Sequence, residues 1–323
     1  MADDDNDNNV FVYLGQEVPF GVTHAVIDPS INVVRRWAFA HYYDLVSVIF
    51  HDGVEIIEAE VFEGTSLRGI KLLGVREIRE GAFTSCDALS GVEFGDRLET
   101  IGVEAFSRCS SLRSIKLLSA RTVQRAAFGN CEQLTDVEFG MNLERIGSYL
   151  FYGCKQLQRI VIPLKDDLFS PDPYNQRYNQ FEGCENLTTV DIVGAEGIYN
   201  TISSFILESW KNEMNDEIDR INRELPNTSS QEKTDLIRLW IRSVINRMEH
   251  HKAEHNRLLK EHMTLIELAL WKAKLDERDD GDSTLKGGAQ RAKIDEESTR
   301  DEKRITSGAD IIIKNVLPFL KLG

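Results

Sequence analysis

Phenylalanine recurs at Phe39, Phe62, Phe83, Phe106, Phe128, Phe151 and Phe181, most of them about 22 residues apart. Five or six residues after each, an apolar residue opens a segment with apolar positions at i, i+3 and i+5. The set runs Leu45/Val48/Phe50, Leu67/Ile70/Leu72, Leu89/Val92/Phe94, Leu112/Ile115/Leu117, Leu134/Val137/Phe139, Leu157/Ile160/Ile162 and Leu187/Val190/Ile192. A fixed period of this length specifies a stack of coils rather than a single closed core. No coil can bury its apolar side alone, so each must be covered by its neighbours.

Two further stations complete each coil. Eleven or twelve residues after the opening residue stands a β-branched aliphatic: Val34, Ile57, Ile78, Ile101, Val123 or Ile146. Five residues on comes the phenylalanine, itself preceded by Ala38, Val61, Ala82, Ala105, Ala127 or Leu150. The same spacing run backwards finds a degenerate first coil at Val22, Ala25 and Ile27, giving eight strand positions. The segment from Phe11 to Leu14 is expected to cap the open N-terminal end. The five cysteines obey the ruler as well. Cys86, Cys109, Cys131, Cys154 and Cys184 each follow a phenylalanine (Phe83, Phe106, Phe128, Phe151, Phe181) by three residues. Metal or redox chemistry favours clustered or C-x-x-C pairs, whereas here one structural station repeats. The expectation is a buried, reduced column packing as small apolar side chains.

Outward strand residues follow a longer rhythm. Ile70-Lys-Leu-Leu73 and Val92-Glu-Phe-Gly95 alternate with Ile115-Lys-Leu-Leu118 and Val137-Glu-Phe-Gly140, so the pattern recurs every 45 residues, a pair of coils. With strands about 4.8 Å apart, Lys71, Glu93, Lys116 and Glu138 are expected to form a column of alternating charge. With Arg68 and Arg113 beside it, this column is the candidate partner-binding strip. Glycines such as Gly102, Gly140 and Gly147 fall at coil turns.

The stretches Arg76–Leu89 and Leu98–Leu112, each with an Ala-Phe pair and a cysteine three residues on, resemble the BspA-type leucine-rich repeat. That unit reads roughly I-G-x-x-A-F-x-x-C-x-x-L-x-x-I-x-Φ, and the resemblance covers about residues 22–194. It implies an α/β solenoid, a right-handed superhelix of about eight coils with a strand ladder on one face. It also implies binding rather than catalysis, in a family of surface adhesins and interaction proteins with no shared active-site residues. The expected organisation is an acidic tail and cap (1–21), the solenoid (22–194) and an all-α helical hairpin or coiled-coil region (195–323).

Between Ile162 and Phe181 the ruler slips, and a segment containing Pro163, Pro171 and Pro173 reads as a loop bulging from the seventh coil. Loops inserted in solenoids often line binding rims, which makes Tyr174, Arg177 and Tyr178 candidate anchors. Beyond Gly194 the period becomes helical: Ile198, Ile202, Phe205/Ile206, Trp210, Met214, Ile218, Ile221 and Leu225 share a face. Pro226 ends that helix, and Ser229 with Glu232 spells a capping box for a second, expected from about Gln231 to Asp276. The second helix outreaches the first. It needs a further partner, either the terminal segment Ile311–Leu320 folded back across a connector around Asp279–Gly288, or a second subunit. On it His251, His255 and His262 lie within about 40° of one another, on a stripe shared with Ile237, Val244, Met248, Leu259 and Ile266. This is not an H-E-x-x-H site, and polar residues setting register in a helical seam explain it.

The formal charge is −15, and residues up to Gly194 carry −12 of it. An acidic solenoid repels phosphate backbones, so nucleic acid is not an expected partner. The start, Met1 to Asn9, is acidic where a signal peptide would be basic and then apolar, and no apolar run reaches a membrane span. The expected location is the cytosol, with the nucleus as the alternative. No Walker A loop, dinucleotide fingerprint or nucleophile elbow occurs, so neither catalysis, a cofactor nor a metal is expected. The expected function is a protein–protein interaction scaffold docking a partner of unknown identity on the strand face. The alternatives are oligomerisation through the helices with the solenoid as spacer, and a surface adhesin.

Overall fold

The computed structural model describes residues 10–174, 176–193 and 204–281. The acidic start, Ile198, Ile202, the connector beyond Gly281 and Ile311–Leu320 lie outside the described residues, as do the side chains of Phe205, Ile206, Trp210 and His255. Two compact units divide the chain, one ending at Asn246 and one starting at Arg247. The boundary expected after Gly194 therefore falls inside the first unit.

The first unit is a solenoid with two parallel ladders. The main face carries β1 (Val10–Tyr13), β2 (His24–Ile27), β4 (Ser47–Ile49), β6 (Gly69–Leu72) and β8 (Gly91–Phe94), continued by β10 (Ser114–Leu117), β12 (Asp136–Phe139), β14 (Arg159–Pro163) and β15 (Thr189–Val193). The second ladder is built of two-residue strands: β3 (Val33–Val34), β5 (Ile56–Ile57), β7 (Glu77–Ile78), β9 (Thr100–Ile101), β11 (Thr122–Val123) and β13 (Arg145–Ile146). All eight expected main-face positions are strands, and six coils carry both strands. Most of the segment Phe11–Leu14, expected at the N-terminal end, is β1, a further strand paired in parallel with β2 in the register Val10↔His24.

Alternation places Ile70, Leu72, Ile115, Leu117, Val137 and Phe139 inside. Val34, Ile57, Ile78, Ile101, Val123 and Ile146 are fully buried on the second ladder, where the spacing puts them. The seven phenylalanines form one continuous column of near-parallel rings, with centroids 4.9 Å apart at Phe83–Phe106 and 6.1 Å at Phe128–Phe151. Burying each contributes about 1.5–3 kcal/mol. The five cysteines are free and buried. Each thiol donates to the phenylalanine carbonyl of the coil before, from 3.0 Å at Cys154–Phe128 to 3.2 Å at Cys109–Phe83. Burial pushes the Cys109, Cys131 and Cys184 thiols well above their ordinary range. At Cys86 the hydrogen bond with Cys109 outweighs burial and lowers the thiol.

A third inter-coil ladder runs beside the phenylalanines, and it was not foreseen. From Trp37 to Gly153 every residue with positive φ except Tyr149 donates its N–H to a carbonyl of the following coil, for example His41 to Glu63 O (2.7 Å), Ser85 to Ser107 O (2.8 Å) and Asn130 to Tyr152 O (2.6 Å). A left-handed conformation costs a non-glycine residue about 1–2 kcal/mol. A hydrogen bond returns about 0.5–1.5 kcal/mol, so these turns hold their shape only against a neighbouring coil. Tyr149 meets the inserted segment instead, and the Asn179 side chain accepts its N–H at 3.2 Å.

The inserted segment is not merely a loop. Leu168 and Phe169 are buried, and Phe169 bridges in parallel to Ile146, adding a rung to the second ladder. Phe169 lies 23 residues after Ile146, the interval that also separates Val123 from Ile146, so the ruler persists there on one ladder.

Two helices follow: α1 (Ser204–Glu224), a 3-10 turn at Leu225–Asn227 that contains Pro226, and α2 (Lys233–Gly281). The second helix starts at Lys233 rather than Gln231 and extends to Gly281. Ser229 Oγ donates to Glu232 Oε2 at 2.8 Å just ahead of it. Its first turns close the C-terminal end of the solenoid. Lys233, only 1% exposed, points its ammonium at the carbonyls of Cys184 (3.1 Å), Glu185 (2.7 Å) and Leu187 (2.8 Å). Thr234 Oγ1 accepts the Phe181 N–H at 3.1 Å, the bond that a following coil provides to every earlier phenylalanine in the column. Asn222 Oδ1 accepts the Val190 N–H on the last strand at 2.8 Å. Ile237, Trp240, Ile241 and Val244 are buried, and Trp240 Nε1 donates to Glu217 O at 3.2 Å.

In the second unit, α2 from Arg247 onward exposes Leu258, Leu259, Leu265, Ile266, Leu270 and Trp271. The stripe that is buried at Ile237 and Val244 is thus exposed at Leu259 and Ile266. Among the described residues no group of three or more His, Cys, Asp or Glu could hold a metal ion. No described helix is long and apolar enough to cross a membrane.

Candidate functional site on the strand face

The main face presents two outward columns. One holds Val26, Ile49, Lys71, Glu93, Lys116 and Glu138; the other holds His24, Ser47, Gly69, Gly91, Ser114, Asp136 and Arg159. Lys71 and Glu93 stand opposite each other and pair at 2.8 Å, and Lys116 pairs with Glu138 at 3.2 Å. The Glu93 carboxylate hydrogen-bonded to Lys71 holds that ammonium above its ordinary value.

Within the expected column of alternating charge the ion pairs fall into two sets. β6 and β8 form a sheet of their own, distinct from the β10–β15 sheet, and no ion pair joins Glu93 to Lys116 among the described residues. The ladder is interrupted at the seam between the duplicated coil pairs. Arg68 and Arg113 are exposed beside the strip, as expected.

Sequence reasoning missed the charged end of the face. Arg159 bridges Asp136 at 3.1 Å and Asp191 at 2.8 Å, extending the ionic surface to the last strand. Asp191 stands at the outward station of the Lys71–Glu138 strip, and Asp136 and Arg159 at that of the neighbouring outward column, so all were reachable by the same ruler. A second alternating column was also missed. Glu55, Arg76, Glu99, Arg121, Glu144 and Lys165 follow one another at intervals of 21 to 23 residues, with Arg76–Glu99 at 2.8 Å and Arg121–Glu144 at 2.5 Å. The Arg121 guanidinium holds the Glu144 carboxyl below its usual range.

The least expected feature is a shallow apolar depression of about 520 Å³ between β4 and β8. Its floor is Gly69 and Gly91, directly opposite each other, and Ile49, Ile70, Val92 and the Lys71–Glu93 pair border it. Most glycines in this solenoid are forced. A Cβ at Gly140 would lie 1.8 Å from the Leu118 carbonyl oxygen, whereas one at Gly91 would meet nothing within 4 Å. Neither Gly69 nor Gly91 has positive φ. The fold does not require glycine at either position, and on this strand Val92 and Phe94 are less buried than their counterparts Val137 and Phe139.

The insertion residues do not join this face. Tyr178 lies under the Arg238 guanidinium, 3.9 Å from its ring centroid, and Arg242 pairs with Asp166 at 2.8 Å, so this side of the insertion is docked on α2. Tyr174 is 92% exposed and Arg177 is exposed; both sit in the insertion that extends the second ladder.

A stack of parallel strands, phenylalanine and cysteine columns, and an outward face of ion pairs around an apolar floor define a leucine-rich-repeat solenoid. The chain belongs to the BspA type leucine rich repeat family, whose model matches in six copies over residues 21–122 and 76–203, more than half of the length. Similar solved structures include a leucine-rich repeat protein from Bacteroides ovatus, 25% identical, covering 53% of this chain and 55% of that one with a TM-score of 0.42. The match thus spans about half of the Bacteroides chain. The leucine rich repeat protein of T. pallidum is 24% identical, covering 56% of this chain and 73% of that one, TM-score 0.38. A leucine rich cell surface protein from Faecalibacterium prausnitzii is 20% identical, covering 57% and 67%, TM-score 0.27. No curated protein matches the chain.

Proposed function

We propose that the chain is an interaction module whose strand face docks a protein partner across Arg68, Lys71, Glu93, Arg113, Lys116 and Glu138. The family is typically non-catalytic, which agrees with this reading. The observation that carries it is the glycine floor. Glycine in a strand costs about 0.5–1 kcal/mol relative to alanine, and neither sterics nor φ accounts for Gly69 and Gly91. Glycine in a strand often marks the close approach of another backbone or a ligand. Flanked by ion pairs on a rigid sheet, the depression offers a preorganised apolar centre with a polar rim, the usual anatomy of an interface.

The test begins with proximity labelling in the native cell to identify partners, followed by measured affinities for Gly91→Val and Lys116→Glu in the full chain. Valine suits a strand and its Cβ at this position meets nothing within 4 Å, so Gly91→Val is expected to leave stability unchanged or raise it by about 0.5–1 kcal/mol. Partner affinity is expected to fall at least tenfold in both variants, with the salt dependence of association reduced in Lys116→Glu. Unchanged affinity in both, with circular dichroism intact, refutes docking on this face.

A second reading, assembly through the helical half, rests on the exposed Leu258, Leu259, Leu265 and Trp271. A wild-type oligomer that dissociates in Leu259→Glu/Ile266→Glu, measured by sedimentation, would favour it.

A further inference from the structure

The N-terminal edge of the main ladder is closed by one side chain. Among the described residues β1 pairs only with β2. The Asp28 N–H donates to Tyr13 O, so the backbone groups of Tyr13 face β2, and by strand alternation those of Val12 and Leu14 face the free edge. One group of each is taken by the same side chain. Gln16 Nε2 donates to Val12 O at 2.8 Å, and Gln16 Oε1 accepts the Leu14 N–H at 2.6 Å. In a parallel ladder, one residue of the neighbouring strand gives its N–H and C=O to two positions spaced in this way. The Gln16 carboxamide therefore occupies the place of a missing strand residue.

The surroundings show what the edge would otherwise do. Val10, Val12, Leu14 and Phe20 are all exposed, Phe20 at 98%. An unpaired edge with apolar flanks is a template for another strand. At the other end of the solenoid Asn222 already takes the Val190 N–H on β15, and Lys233 and Thr234 take backbone groups of Cys184, Glu185, Leu187 and Phe181 just before it. A head-to-tail mate would have to displace these side chains. The remaining mate is the same edge of a second copy, related by a two-fold axis that makes the two β1 strands antiparallel.

We infer that Gln16 is a plug that keeps β1 from pairing with β1 of a second copy, and that opening it yields a two-fold dimer rather than a filament. The test is light scattering on the full chain over a concentration series, comparing wild type, Gln16→Ala and Gln16→Leu, the last keeping bulk without hydrogen bonds. Gln16 is exposed, so both variants are expected to fold, which circular dichroism checks. Expected is about a doubling of molar mass relative to wild type in both, reversed by adding Val12→Pro, which removes a free-edge N–H that β2 does not use. Masses equal to wild type in both variants overturn the inference. So does open-ended polymerisation, or a doubling that Val12→Pro leaves in place.

Discussion

At the C-terminal end of the ladder three side chains, Lys233, Thr234 and Asn222, stand where the backbone of a further coil would stand. Lys233 and Thr234 are fully buried, and Asn222 is half-buried. At the N-terminal end the comparable work falls to the single exposed carboxamide of Gln16, while Tyr13 and Val18 cover the core and the Tyr42 hydroxyl ties to Val18 O. Both ends face the same problem, unpaired backbone groups on a repeating stack. The buried solution is bound up with the stability of the fold, because losing a buried partner leaves acceptors and donors out of reach of water. In the exposed solution water can replace the lost bonds, so what it governs is the choice of partner.

That contrast can be broken most forcefully at Lys233. Lys233→Met keeps the stem and removes the donor to three carbonyls, and it is expected to cost about 2–4 kcal/mol in denaturant unfolding. A loss below about 0.5 kcal/mol would mean that water or a shifted backbone serves those carbonyls equally well. The same residue gives a pH signature. Burial holds the Lys233 ammonium below its ordinary value of 10.5. The unfolded chain then binds this proton more tightly than the folded one. The group's contribution to stability is therefore expected to rise with pH through the window below 10.5. The rise should be missing in Lys233→Met.

Thr234→Val is a smaller lever. It leaves the buried Phe181 N–H without an acceptor, and about 1–2 kcal/mol is expected. Amide exchange should quicken at Phe181 while Phe106, in the middle of the column, stays protected. In the interior, native thiol titration is expected to find the five cysteines slow to react, with all of them reactive after denaturation. Smallest is Gln16→Ala, expected to change unfolding free energy by no more than about 0.5 kcal/mol although it changes association. A Gln16→Ala penalty as large as that of Thr234→Val would erase the distinction between the ends.

The repeating interior was legible because each station recurs: the phenylalanine and cysteine columns and the β-branched rungs each occur five to seven times at nearly constant spacing. Single-occurrence features were not. Nothing in the sequence near Gln16 or Lys233 marks it as a substitute for a missing coil, since its partners are backbone groups that any residue carries. The insertion was read as a loop because its prolines and the slipped phenylalanine spacing hid Phe169, although that residue keeps the interval of the second ladder. How the charge column pairs was not legible: sequence spacing cannot show that Lys71 pairs with Glu93 and Lys116 with Glu138, with no ion pair between Glu93 and Lys116 among the described residues. The glycine floor escaped notice because glycine at a coil turn and glycine on an open strand look alike until the space around a Cβ is known.

The positive-φ turns bear on how the stack comes apart. Each non-glycine residue among them holds a conformation that is unfavourable in isolation and is retained by a hydrogen bond to the next coil. A coil therefore has no melting transition of its own. It behaves as a site on a one-dimensional lattice whose state is set by its neighbour on one side. Disorder entering from the C-terminal end would free these turns in sequence, Gly153 and Tyr149 before Asn130, and Asn130 before Arg108. Slow-exchange protection along the chain would then record distance from that boundary more than depth of burial.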